Sequence, residues 1–338
     1  MTPTPASLLA RAVARMRAAL GSHPRVPRFH DAMDGDTDNR DTFSSIALHE
    51  RMLADEVRLD AYHRAIAAHV KAGDTVLDVG TGSGVLAFFA AQRGAGKVYA
   101  IDHSEIIEVA KRVAEHNRIT NVEFLELNSR EFAPAEKLDH IVQEQIGWCL
   151  FEENMVATVV DLRDRVLKTG GRIIPNRFDL FIEPVQLKDE YRIPFIWEQR
   201  VQNIDYSCVE EPSTADDRSG YYLRALGGDE VSHLLCEPEV VYACDLETMK
   251  ETDLPDRFGS RRVVVHEGRL DGYCLYFTAT FDDRISFSTF PFDKRTHWGV
   301  PHFRVESRPC RKGDALDYEL TIPHVRDPNT WRLATSRA

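Results

Sequence analysis

No run of about 18 or more uncharged apolar residues occurs anywhere in the 338-residue chain, so nothing in it reads as a membrane-spanning helix. There is no CxxC pair and no His-rich tract. The six cysteines, Cys149, Cys208, Cys236, Cys244, Cys274 and Cys310, are scattered and signal neither a zinc site nor a disulfide framework. Reduced thiols of this kind fit a cytoplasmic protein. Internal repeats and low-complexity tracts are absent as well. Positive charge is in short supply, with 42 Lys and Arg against 54 Asp and Glu and a net charge of −12. That balance repels phosphate backbones, offers no broad footprint for nucleic acid and suits a cationic ligand. The N-terminus runs the other way: no acid precedes Asp31, while Arg11, Arg15, Arg17, Arg25 and Arg28 are present. Such a stretch is either a transit peptide or a helix, for docking or simply structural. What remains is ordinary globular composition, 43% hydrophobic and 28% charged, with enough chain for two domains.

Along the chain, apolar residues at helical spacing over 55–70 lead through Gly73 into Thr75–Val79, a β-branched run ending at glycines. The alternation then repeats. Strands are expected over 97–101, 122–127 and 140–142, with helices over 105–117 and 152–168, the last stopped by Thr169-Gly170-Gly171. Strands alternating with helices imply right-handed crossovers and a parallel, doubly wound Rossmann-like α/β domain over residues 39–175. An N-terminal helix and linker, 1–38, precede it. After Pro175 the texture changes to short strand-like runs at 178–183, 262–266, 272–280 and 316–322. These predict an antiparallel, β-barrel-like domain over 176–338. Within it, residues 187 to about 235 read as an inserted helical arm.

Asp78-Val79-Gly80-Thr81-Gly82-Ser83-Gly84 sits at a strand end and opens a helix, where open α/β sheets bind nucleotides. Gly80, Gly82 and Gly84 let backbone approach a ligand closely. Asp102 closes the second strand, where an acid accepts hydrogen bonds from ribose hydroxyls. NAD and S-adenosylmethionine share that acid, so these features leave the cofactor open. The spacing GxGxG is not the GxGxxG of dinucleotide folds, and no GK[ST] for a triphosphate follows. A second segment, Gln143-Glu144-Gln145-Ile146-Gly147-Trp148-Cys149-Leu150-Phe151-Glu152-Glu153-Asn154-Met155, runs from the fourth strand into a helix. Glu144 and Glu153 can converge there from opposite sides of a loop, and two facing carboxylates match a planar guanidinium. Read in isolation, the same residues could be a solvated acidic loop.

This segment resembles the double-glutamate loop of the protein arginine N-methyltransferases: an acid, then Met-Gly-Tyr-x-Leu, then a second acid followed by Met two residues later. Leu48-His49-Glu50-Arg51-Met52-Leu53-Ala54-Asp55-Glu56-Val57-Arg58 is similar to that family's cofactor-covering helix, and Thr296-His297-Trp298 to its substrate-side THW loop. The resemblance spans about residues 40 to 330. It implies S-adenosylmethionine as cofactor, held by Met52, Arg58 on the methionyl carboxylate, the turn of Asp78, Gly80, Gly82 and Gly84, Asp102 on the ribose and Glu131 on the adenine. It further implies Glu144 and Glu153 gripping the acceptor guanidinium, Trp148 and Trp298 on the acceptor side, and Asp55 with His297 as a polar dyad at the mouth. The 187–235 arm would then serve a homodimer. Departures from the pattern are Phe43 in place of a tyrosine, Trp148 for the loop tyrosine, Ile146 for the methionine, and Gln143 and Gln145 on the flanks. The acceptor expected is arginine, either free or within a protein or peptide. The alternative of a catalytically silent scaffold is countered by the presence of both glutamates, the glycine turn and Arg58.

Overall fold

The structure is a computed structural model that describes residues 43–209 and 222–335. The expected N-terminal helix and linker, 1–38, lies outside the described residues. Strands β1 (Thr75–Val79), β2 (Lys97–Asp102), β3 (Val122–Glu126), β4 (Leu138–Gln143) and β5 (Leu167–Ile174) form a wholly parallel sheet in the order β3-β2-β1-β4-β5. Central β1 is buried along nearly its whole length, as a strand covered on both faces must be. Helices α1 (Ile46–Leu53), α2 (Glu56–His69), α3 (Val85–Gln92), α4 (Ile107–His116) and α5 (Met155–Val166) accompany it. Strand order reverses between β1 and β4, which places a crevice at their C-terminal ends. The glycine turn leaves β1 at that point, and the double-glutamate segment leaves β4.

The second half is antiparallel. One sheet runs β10 (Val231–Leu234), β6 (Arg177–Leu187), β13 (Gly268–Asp282), β15 (Val300–Cys310), β9 (Leu223–Leu226), with β11 (Val240–Asp245) on β6 and β14 (Ile285–Ser288) on β13; a smaller one runs β12 (Arg257–Val263), β16 (Ala315–Thr321), β17 (Arg332–Thr335). Its longest members, β6 (Arg177–Leu187), β13 (Gly268–Asp282) and β15 (Val300–Cys310), form the spine. A single apolar cluster continues from the parallel sheet into this domain, joining Ile66 and Val79 to Phe178, Phe277 and Trp298. Helix α2 lies at that junction. It buries Arg58, Ala61, Tyr62, Ala65 and Ile66, and the Tyr62 ring meets Phe281 edge-on at 4.9 Å. The Tyr62 hydroxyl donates to the Gln143 carbonyl at 2.8 Å, so this helix is fixed to the end of β4.

Two local expectations differ. The Thr169-Gly170-Gly171 stop lies inside β5, and α5 ends earlier, at Val166. Gly170, with φ of +77°, lets the strand continue through a bulge where its register against β4 shifts. In the 187–235 arm, the described residues form a 3-10 turn at Ile196–Glu198, the hairpin β7 (Arg200–Val201) and β8 (Ile204–Asp205), and further on β9 (Leu223–Leu226) and β10 (Val231–Leu234). No α-helix occurs among them. Pro194 holds its predecessor away from helical geometry, and residues 210–221 lie outside the described residues. No helix among the described residues is long and apolar enough to cross a membrane.

Candidate active site

The crevice is built from the glycine turn upward. Gly80, Gly82 and Gly84 have φ of +67°, +53° and +89°, the left-handed region that glycine enters without cost. Asp78 braces the turn: its Oδ2 accepts from Thr81 Oγ1 at 2.6 Å and from the Ala87 amide at 3.0 Å. Burial pushes this carboxyl up to about 7 against those two bonds, and its Oδ1 has no partner. A side chain at Gly82 would sit 2.7 Å from the His49 ring, and one at Gly84 would sit 2.5 Å from Phe88. His49 is thus the residue of α1 that lies on the turn. It is buried, its ring donating from Nε2 to the Phe43 carbonyl at 2.8 Å.

Asp102 ends β2 and ties the two loops together. Its Oδ2 accepts from the Gly82 amide at 2.9 Å, and its Oδ1 from the Ser104 amide and hydroxyl at 2.9 and 2.7 Å. A narrow cleft of about 80 Å³ opens beside it, lined by residues that include Gly80, Asp102, His103, Asn128, Gln145 and Glu153. Glu131 does not line that cleft. It is exposed, and its carboxylate accepts from the Asn128 amide in a capping turn.

At the end of β4, Gln143 is completely buried and structural: its Oε1 accepts from the Gln145 amide at 3.0 Å. Glu144 Oε2 meets Arg58 Nη1 at 2.7 Å, with side-chain exposures of 12% and 4%. Arg58 Nη2 donates to the carbonyl of buried Met52 at 2.8 Å, while its Nε, also buried, has no partner. Glu153 faces the cleft from the far end of the loop. Burial first, and then the charges of Glu144 and Glu152, hold its carboxyl well above the usual range.

The antiparallel domain completes the site. Asp55 caps α2 by accepting from the Arg58 amide at 3.0 Å, and its Oδ2 accepts from both the amide and the Nδ1 of His297 at 2.8 Å. Burial pushes Asp55 up, but the bonds from the His297 ring and from the Arg58 and His297 amides outweigh it, leaving the carboxyl below its ordinary value. Trp298 is buried, donates from Nε1 to the Ile146 carbonyl at 2.7 Å and stacks on Phe287, so it pins the double-glutamate loop. Trp148 is packed in the core. Sequence reasoning missed His49, which no motif marks except its place in the covering helix, and Glu152, hidden beside the more conspicuous Glu153.

Two family descriptions match the chain: "Methyltransferase domain" over residues 70–223 and "Arginine methyltransferase oligomerization subdomain" over residues 176–329. Protein arginine N-methyltransferase 6 of Danio rerio is 34% identical over 269 residues, covering 76% of each chain. Protein arginine N-methyltransferase 1 of Dictyostelium discoideum is 30% identical over 265 residues, again 76% of each. Among solved structures, Arabidopsis thaliana protein arginine methyltransferase 10, in an open conformation, superposes with a TM-score of 0.72 at 25% identity, covering 87% of this chain and 98% of its own. The Trypanosoma brucei PRMT1 enzyme-prozyme complex with AdoHcy has the same fold, with a TM-score of 0.71 at 22% identity over 83% and 89% of the two chains.

Proposed function

This chain belongs to the protein arginine N-methyltransferase family, and from that premise we propose that it transfers a methyl group from S-adenosylmethionine to a guanidinium nitrogen of arginine within a protein or peptide. The observation that supports the reading is the pair of acids on one loop, Glu144 held by Arg58 and Glu153 lining the cleft beside the glycine turn and close enough to feel the Glu144 charge, with the Asp55–His297 dyad at the start of the helix that carries Arg58. The polar atoms without partners suit an amino-acid-bearing cofactor: Arg58 Nε for a carboxylate, Asp78 Oδ1 and Gln145 Oε1 for donors. The cleft must widen to admit it.

When bound, the cofactor supplies an electrophilic methyl on a cationic sulfur. Glu144 and Glu153 hold the planar acceptor by charge-assisted hydrogen bonds, draw its positive charge toward themselves and leave one nitrogen richer in electron density. Positioning does most of the work in such an in-line transfer. His297 donates from Nδ1 to Asp55, which leaves its Nε2 able to take the proton that the methylated nitrogen sheds. A groove of about 630 Å³ beside Thr296 gives room for chain flanking the arginine, which favours a peptide over the free amino acid.

The arm is read as a homodimer contact, since it lies in the oligomerization subdomain and exposes Tyr191, Ile193, Ile196, Val201 and Ile204. Incubation with S-adenosylmethionine labelled in the methyl group, followed by mass spectrometry of protein and small-molecule fractions, tests the reading. Label on arginine in protein is expected. Label confined to free arginine moves the acceptor to the small molecule, and label in neither, with cofactor bound, overturns the activity.

A further inference from the structure

Glu152 lies in the double-glutamate loop but does not face the cleft. It is 4% exposed, and its Oε1 accepts from the Cys149 amide at 2.6 Å while its Oε2 is buried without a partner. The carboxyl lies against Gly147. A side chain at Gly147 would put its Cβ 2.7 Å from Glu152 Oε1 and nearer still to Cδ and Oε2, and those are the three atoms it would meet first. Gly147 does not have a positive φ, so its backbone tolerates alanine. What excludes a side chain there is Glu152.

The turn it braces is an unfavourable one. Gly147 and Leu150 exchange backbone hydrogen bonds of 3.3 and 2.9 Å, and Leu150 and Asn154 both hold positive φ, +79° and +61°, conformations that persist only where their surroundings enforce them. An apolar side chain would fill the same space without the cost of burying a carboxyl beside Glu153. Burial pushes Glu152 up to about 7, against the bonds from the Cys149, Glu152 and Trp148 amides. That cost falls on a carboxyl that does not line the cleft.

We propose that Glu152 is a positioning residue of the acceptor loop: its carboxyl, lodged beneath Gly147 and holding the Cys149 amide, fixes the turn from which Glu144 and Glu153 reach the guanidinium. The inference rests on the guanidinium-transfer reading above. It makes Gly147 and Glu152 an interlocking pair.

The test compares Glu152→Gln, Glu152→Ala, Gly147→Ala and the double variant Gly147→Ala/Glu152→Ala. It measures kcat and KM on an arginine-containing peptide, cofactor Kd by calorimetry, and hydrogen exchange of the Cys149 amide. Glutamine keeps the accepting oxygen and should hold kcat/KM within about threefold of the parent, whereas Glu152→Ala should lose about tenfold or more, with cofactor Kd little changed. Gly147→Ala should lose as much, and the double variant should be no worse than Glu152→Ala alone, because the collision has gone. Turnover by Glu152→Ala within about twofold of the parent, an equal fall in Glu152→Gln, or a double variant carrying the product of both losses would each overturn the proposal. If the parent methylates no peptide, the activity reading fails by itself. Exchange then decides the positioning claim, which requires a Cys149 amide about tenfold faster in Glu152→Ala and not in Glu152→Gln; equal rates in all would contradict it.

Discussion

Asp55 Oδ2 accepts hydrogen bonds from both the backbone amide and the ring Nδ1 of His297, each at 2.8 Å, joining the start of α2 to a loop of the antiparallel domain. The same carboxylate caps α2 through the Arg58 amide, so one side chain orients the helix that carries Arg58 and the imidazole assigned to proton transfer.

Removing it should cost both stability and rate. Asp55→Ala is expected to lower stability by about 1 to 3 kcal/mol, as for a charged acceptor withdrawn from buried donors, and to reduce turnover about a hundredfold or more. Because the Asp55 carboxyl lies below its ordinary 3.8, its contribution is present at neutral pH and disappears on acidification through that lowered value. Urea midpoints of parent and variant should therefore differ at pH 7 and begin to converge only once pH falls below 3.8. A gap that stays constant as the parent is acidified until it unfolds would show that Asp55 does not act through its charge.

Gly82→Val should abolish cofactor binding in a folded protein. Its Cβ would strike the His49 ring, and a β-branched residue resists φ of +53°. Adding His49→Ala relieves only the collision, so calorimetry should find little recovery of affinity. Full recovery would mean that the backbone conformation of the turn does not matter.

Charges placed on the arm, as Ile196→Glu with Ile204→Glu, should convert a dimer into a monomer by light scattering at micromolar concentration, because both residues are exposed apolar groups of the arm. An unchanged dimer would move the contact elsewhere, and a monomeric parent would refute the dimer itself.

The parts of this molecule that were legible in its sequence are those where periodicity or a turn dictates the outcome. The parallel strands, the glycine turn at the end of β1 and the placement of Glu144 and Glu153 at either end of one loop follow from apolar runs and glycine spacing. Gly170 misled because glycine serves a strand bulge as readily as a helix cap. In the described part of the arm the helix-like aromatic and polar stretches give way to Pro194 and to the pairing of β7 with β8. Trp298, read as facing the acceptor, spends its indole N–H on the Ile146 carbonyl. His49 and Glu152 act through contacts with glycines distant or unremarked in sequence, and only the fold brings those together.

Glu144 and Glu153 carry the assignment of the acceptor. Glu153 is held above the usual carboxylate range by burial and like charge, so its contribution to stability is present at low pH and lost as pH rises through the raised value, and a bound guanidinium should offset that loss. The decisive measurement is turnover of an arginine peptide by Glu144→Gln, Glu153→Gln and the double variant, with cofactor affinity measured alongside. Each single change should reduce kcat/KM by about two orders of magnitude or more with Kd for S-adenosylmethionine nearly unchanged for Glu153→Gln, and the double variant should fall little further. A solvated acidic loop would instead lose less than about 0.5 kcal/mol for each change. Near-parental turnover in either single variant would contradict the assignment of an arginine acceptor.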